Sequence, residues 1–485
     1  MHALLTVARP LGLIAMVMSL FHLLPLGVSL AYRDGAEFAF IFSMALNCAV
    51  GYLVWVTTRR HQRELTPRDG ILLVVLAWCG GAAFATLPLL LAIPGLSFTD
   101  AYFETMSGLT TTGATVLSNL DVIEPSINIW RGLLEWLGGM GLIVLAVAIL
   151  PLLGVGGRQI FRAETPGPMK DEKLTPRITE TAKGLWVVYG MISLACVIAY
   201  GLAGMSWFDA TMHMFSTMSL GGFSSHDASF GFWNSPAIEA VAIVFMLIAS
   251  VNFGTHFLVF KARSAAPYRH DPEAGWCVLV MIASCFGIAA YLFVMNAYPD
   301  FWTALRFASF NVVSIASTTG YANTDYNLWP IFAPMWMLFL CSFASCSGST
   351  GGGIKMIRAR LLYIQVYREF VKLVHPSAVT PAKVDGHVIE NKVIFAVLAF
   401  MFIYISSIVT MTLVLMLSGL DVVTAFSATV ASINNTGPGL NQVGPSTTYS
   451  ALSDFQTWVL TFAMLLGRLE LFTLLIVFMP VFWRK

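Results

Sequence analysis

The sequence is short of charge. Of its 485 residues only 11% are Asp, Glu, Lys or Arg, against roughly 25% in an ordinary globular domain. A soluble chain of this length would fold as several domains and need far more polar surface. The 27 cations and 26 anions nearly cancel, to a net charge of +1, so no polyanionic partner such as nucleic acid is implied. The seven cysteines are odd in number, sit inside apolar stretches and show no CxxC or Cys/His metal spacing; they read as small buried hydrophobes. The nine histidines are scattered, with no HExxH, and His22, His213 and His256 have no motif partner. That argues against a membrane-embedded enzyme, and no organic cofactor is indicated. What is abundant is apolar: 57% hydrophobic residues and a mean hydropathy of +0.76.

A helical membrane span needs roughly 20 apolar residues. Ten stretches qualify: 10–32, 36–57, 70–93, 127–153, 184–205, 236–261, 274–296, 329–373, 391–418 and 455–483. The run after Arg9 is too long for a signal-peptide core and reads as the first span. Shorter half-apolar segments lie near 99–111, 208–219, 303–317 and 422–434. At about 12 residues each, they reach roughly 18 Å and cannot cross a hydrocarbon core. With the N-terminus inside and these segments re-entering from outside, 23 of the 27 cations fall on the cytoplasmic side, as the positive-inside rule asks. Both termini are then cytoplasmic. The exceptions are Arg33, Arg131, Arg306 and Arg468.

The half-length segments share a register. They end in Thr110-Thr111-Thr112-Gly113, Ser219-Leu220-Gly221-Gly222, Ser317-Thr318-Thr319-Gly320 and Asn434-Asn435-Thr436-Gly437. Twelve residues before each final glycine stands Ala101, Ala210, Ala308 or Ala425. Six before stand Ser107, Ser216, Ser314 and Ala431. Any one of these motifs is common; four in register between pairs of spans define a repeat. Non-helical backbone at membrane depth is tolerated only where it lines a cavity or is buried in protein. Four half-helices meeting at an axis meet that condition. Their C-terminal ends carry partial negative charge, and carbonyl rings can replace a cation's hydration shell. Glycine accepts the positive φ that inward carbonyls demand. The competing reading is ordinary small-residue packing in a bundle, which does not predict a shared register.

This gives an all-α polytopic membrane protein: four parallel span–pore-helix–span repeats around a central pore, plus two N-terminal spans. The divisions are 1–69 for the leading spans, then 70–183, 184–273, 274–390 and 391–485 for the repeats. Acidic residues on the outer side, among them Glu104, Asp121, Asp209 and Asp227, either concentrate cations at the pore mouth or cap helices. The eighth span is interrupted at 344–354. There Cys346, Ser347, Gly348, Ser349, Thr350, Gly351, Gly352 and Gly353 cannot sustain a helix well. A nucleotide P-loop is excluded, because Ile354 stands where lysine must follow. An intramembrane loop below the filter is expected. Arg468 is the cation deep in the last span, which reads as clearly uninterrupted. Such a residue is a functional candidate, with structural pairing to Glu135 or Glu470 as the alternative. Arg468 should hold loop carbonyls and raise the barrier to a cation until it withdraws. His213 reads as a packing or capping residue rather than a proton relay.

The four units, their glycines and the CSGSTGGGIK segment resemble the Trk/Ktr/HKT superfamily of potassium transporters, of the TrkH type given the two leading spans. The resemblance implies a single-chain pore selective for K+ at the sixteen filter residues above, in the bacterial inner membrane. It also implies a homodimer in membrane lipid and a cytosolic TrkA-type nucleotide-binding regulatory ring. Arg358 and Arg360 are candidate docking cations for that ring. Glycine rather than serine at Gly113 favours K+ over Na+ in this family. The second unit departs from the Thr-Gly form, and Pro438 follows the fourth glycine. An H+- or Na+-coupled K+ symporter is the alternative, although inverted halves are disfavoured by four units of one direction.

Overall fold

The computed structural model describes residues 2–59, 66–141, 178–384 and 387–484. Among them β-structure is confined to an antiparallel ribbon, Lys383–Val384 with His387–Val388. Six helices are long and apolar enough to cross a membrane: Thr6–Tyr32, Glu37–Thr58, Arg68–Ala92, Ala182–Leu202, Ala274–Val294 and Asn391–Leu417. The two leading helices run against each other through Gly12 and Gly51, where a Cβ on either would meet the other's backbone.

The half-length helices are Phe98–Leu109, Trp207–Ser219, Phe301–Ala316 and Val422–Ile433. Each begins at a side-chain cap. Ser97, Ser206, Asp300 and Asp421 accept the backbone N–H of Asp100, Asp209, Thr303 and Thr424 respectively, satisfying donors that a helix start leaves free. The register alanines Ala101, Ala210, Ala308 and Ala425 are all wholly buried. Each half-helix packs against the spans that flank it in sequence.

The second helices of the units differ from the sequence expectation. Stretches 236–261 and 455–483 are not straight spans: Pro236–Ser250 meets Phe253–Ala262 at 93°, and Asp454–Arg468 meets Leu471–Phe478 at 116°. At the first break Asn252 restarts a helix by accepting the N–H of Gly254 at 2.8 Å. At the second, Glu470 has a φ of +53°, which no helix continues through. Stretch 329–373 breaks as expected, into Phe332–Cys341 and Met356–Val374. Stretch 127–153 is helical over Pro125–Gly139 and turns at Gly141 with a φ of +77°. Its remainder lies outside the described residues, as do the cations that follow it, Arg158, Arg162, Lys170, Lys173 and Arg177, and Arg60, Arg63 and Lys485.

Candidate ion pathway

The four glycine segments adopt one backbone conformation. Gly113, Gly222, Gly320 and Gly437 have φ of +78°, +93°, +89° and +93°. Two residues earlier, Thr111, Leu220, Thr318 and Asn435 are also left-handed, at +54°, +55°, +66° and +53°. For these non-glycine residues that costs of order 1 kcal/mol each. Between them, the N–H of Thr112, Gly221, Thr319 and Thr436 returns to the carbonyl of Ser107, Ser216, Ser314 and Ala431 at 2.8, 2.9, 2.8 and 2.8 Å. The residue six before each glycine is therefore the carbonyl that closes the half-helix. This accounts for its shared register and for the freedom of its side chain to be Ser or Ala.

The segments close a ring. A Cβ on Gly113 would overlap the carbonyl oxygen of Gly221, one on Gly222 that of Thr319, one on Gly320 that of Thr436, and one on Gly437 that of Thr112. Each glycine thus stands against the residue preceding the next unit's glycine, and the fourth returns to the first. Hydroxyls brace the wall: Thr110 with Thr112 and Ser317 with Thr319, both at 2.7 Å. Asn435 donates to the Thr112 hydroxyl at 3.0 Å, tying unit 4 to unit 1. Tyr449 donates to the Gly437 carbonyl at 2.7 Å.

Segment 346–353 packs against the ends of the same half-helices. Thr350 donates its hydroxyl to the Met218 carbonyl at 3.0 Å, and the Gly352 N–H donates to the Thr318 hydroxyl at 2.9 Å. A Cβ on Gly351 would lie 3.0 Å from the Ser317 carbonyl, and one on Gly352 would overlap that of Asn434. Arg468 supplies the contact to unit 1. It donates to the Thr111 hydroxyl and the Thr350 carbonyl, each at 3.1 Å, and to the carbonyls of Gly138 and Gly139. Loop and arginine together touch all four glycine segments or the residues just before them. The loop's ends are held by one carboxylate: Glu273 accepts the N–H of Ser347 at 2.8 Å and of Ile357 at 2.6 Å. Cys346 N–H donates to the Ser250 carbonyl, and Gly348 accepts from Phe253, each at 3.0 Å. Ser349 bonds back to Cys346 at 2.7 Å, and Gly353, at a φ of +79°, turns the chain toward the next helix.

Several charged groups are placed otherwise than expected. Glu104 is not a pore-mouth carboxylate: it is 1% exposed and accepts from Arg131 at 2.8 Å and from the Val116 N–H at 3.0 Å. Arg131 and Arg306 break the cation bias because they are structural. Arg306 makes a two-bond contact with Glu239 at 2.8 and 2.7 Å. Arg358 is no surface docking charge, being 6% exposed, paired with Glu470 at 2.9 Å and stacked over Phe400. Arg468 ends its helix rather than lying within an unbroken span. His213 is buried, bonded to the Asp209 carbonyl and the Ser224 hydroxyl at 2.9 Å each. The three arginine–glutamate pairs link residues 27 to 112 positions apart, so no local spacing could have signalled them.

At the outer side His226 bridges Asp121 and Asp209 and stacks on Phe232 at 3.6 Å. Burial would lower the His226 pKa, but hydrogen bonds and charge from Asp209 and Asp121 outweigh it and raise the value above the ordinary one. Burial would raise Asp209, yet hydrogen bonds from His226, Ser206 and Ser225 bring it down to about 2.

The comparisons identify a family and a solved fold. Residues 36–485 match the family model of TrkH, described as a cation transport protein. The chain is 45% identical over 483 residues to the "Trk system potassium uptake protein TrkH" of Vibrio parahaemolyticus, covering 99% of each. It is 42% identical over 480 residues to the protein of the same name from Escherichia coli K12, with 99% of each covered. It is 36% identical to that strain's TrkG, over 98% of this chain and 97% of the relative. The crystal structure of the potassium transporter TrkH from Vibrio parahaemolyticus superimposes with a TM-score of 0.89 at 42% identity, over 99% of both chains. The chain belongs to the TrkH family of cation transport proteins.

Proposed function

We propose that this chain takes up K+ across the bacterial inner membrane through the ring formed by its four glycine segments, with segment 346–353 and Arg468 as the gate. The single observation that carries the reading is the closure of that ring: four glycines with positive φ, each against the carbonyl of the next unit. Such spacing leaves no room for side chains and turns backbone carbonyls toward a common axis, the arrangement that substitutes for a cation's hydration shell. The relatives' name, potassium uptake protein, supports K+ as the transported ion. The contacts of the loop and Arg468 with the ends of the half-helices support the gate reading, since a fixed positive charge beside an ion path opposes a permeating cation. The transport is channel-like, the chain works as a homodimer with both termini cytoplasmic, and a cytosolic TrkA-type nucleotide-binding ring relieves the gate. Planar-bilayer recording of the purified protein under opposed K+ and Na+ gradients tests this. Reversal near the K+ potential, with current growing ohmically to high K+, is the expected result. A fixed stoichiometric coupling to H+ or Na+ would replace the channel with a symporter.

A further inference from the structure

The four units agree at the filter glycine but not at the residue before it. Units 1, 3 and 4 have Thr112, Thr319 and Thr436; unit 2 has Gly221. In units 1 and 3 the threonine hydroxyl is bonded to the residue two before it. In unit 2 the equivalent space is occupied by a side chain from another element. A Cβ on Gly221 would lie 2.5 and 2.7 Å from the two carboxylate oxygens of Glu135. Glu135 comes from the second helix of unit 1, is wholly buried, and accepts the N–H of Phe223 at 3.1 Å. Phe223 follows Gly222 directly. In a planar trans peptide the N–H and the preceding C=O point in opposite directions. Holding the Phe223 N–H outward therefore turns the Gly222 carbonyl toward the axis. In unit 4 the same position is Pro438, which has no N–H to hold and a fixed φ instead.

We infer that Glu135 is the positioning residue for the second quadrant of the filter, replacing the threonine side chain that unit 2 lacks and orienting the Gly222 carbonyl. The inference rests on the filter reading above. It makes Glu135 and Gly221 a matched pair, so that either one altered alone misplaces the quadrant while the two altered together restore the pattern of the other units.

The test is the K+/Na+ permeability ratio of purified, reconstituted variants, with thermal stability of each recorded alongside. Glu135→Ala and Gly221→Thr should each lower the ratio at least fivefold. Glu135→Gln keeps the shape and an acceptor oxygen, and should lose less than twofold. The double variant Glu135→Ala with Gly221→Thr should recover at least half of the lost selectivity, on a logarithmic scale. Gly320→Ser serves as the control for the filter itself. If Gly320→Ser loses selectivity while a stable Glu135→Ala does not, the Glu135 inference is overturned and the filter stands. If Glu135→Gln falls as far as Glu135→Ala, the carboxylate acts by charge and the positioning role is wrong. If neither glycine variant changes the ratio, the filter reading itself fails.

Discussion

The four glycine segments hold one backbone conformation in four different sequences, whereas the second helices beside them stop in four different ways. Above, the left-handed residue, the returning N–H and the glycine recur without exception in Thr-Thr-Thr-Gly, Ser-Leu-Gly-Gly, Ser-Thr-Thr-Gly and Asn-Asn-Thr-Gly. Below, unit 1 turns at Gly141, unit 2 at Asn252, unit 3 through the whole of 342–355 and unit 4 at Glu470. The difference follows from what each level must do. A carbonyl ring closes only if its quadrants match, so the backbone is repeated. A helix end has only to clear the axis, so any break serves, and one of the four can be enlarged into a loop. On the proposed reading, the repeated level is the one that meets the ion and the varied level is the one that moves.

That comparison can be broken at either level, and the largest effect is expected where a matched quadrant is held by a buried charge. Arg131→Ala leaves Glu104 buried without its cation, beneath the Thr115–Val116 stretch that leads away from Gly113. A loss of about 3–5 kcal/mol is expected from such an orphaned partner. Thermal unfolding in detergent would register it as a large drop in Tm, and an unchanged Tm would mean the pair is dispensable.

Next comes the ring itself. Gly320→Ser puts a side chain at a φ of +89° and against the Thr436 carbonyl. The K+/Na+ permeability ratio should fall about tenfold, equivalent to about 1.4 kcal/mol. An inserted, folded variant with the parent's ratio would remove Gly320 from the filter.

At the lower level Arg468→Ala releases the Thr350 carbonyl and the Thr111 hydroxyl and removes a positive charge. Regulator-free K+ flux in liposomes should rise severalfold with selectivity intact, since Arg468 bonds a hydroxyl of unit 1 and none of the ring carbonyls. Flux that stays at the parent's level in a stable variant would restrict Arg468 to a structural part. A smaller change is expected at Asn252→Ala, which removes the cap on Gly254 and a neighbour of Gly348. Loss of such a cap costs about 1 kcal/mol, visible as a Tm lowered by about a degree in a chain of this length. No shift would mean that the bend is held by the packing of the loop alone.

The smallest effect belongs to the outer loops. His226 has its pKa raised in the folded protein, so its contribution is present below the ordinary histidine value and fades as pH rises through the raised one. Asp209 and Asp121 are lowered, so theirs is present above the ordinary carboxylate value and fades as pH falls through the depressed ones, about 2 for Asp209. The bridge therefore contributes fully from the weakly acid range up to the ordinary histidine value, and fades as pH rises through the raised one. NMR titration of the His226 ring should show a midpoint above that of a free histidine. A midpoint at or below it would mean the bridge does not form in solution.

What could be read from the sequence follows the same division. The glycine segments were legible because they recur, and a recurrence at matched spacing is visible without knowing any contact. The loop at 344–354 was legible because its composition cannot form a helix. The breaks at 251–252 and 469–470 were not, since Val251, Asn252, Leu469 and Glu470 carry no Gly or Pro signal and the flanking stretches are apolar enough to span. The roles of Glu104, Glu135 and Glu273 were hidden for another reason. Each carboxylate accepts from groups at least 11 positions away, and such partners are set by the fold rather than by spacing.

The central claim is that the closed ring of four glycine segments is where the ion sits. Anomalous diffraction from crystals grown or soaked in Rb+, a K+ analogue, tests it most directly. A Rb+ peak on the axis, encircled by the carbonyls of Thr112, Gly221, Thr319 and Thr436, is the result the account predicts. Ordered Rb+ elsewhere in the chain, with none inside that ring, would contradict it.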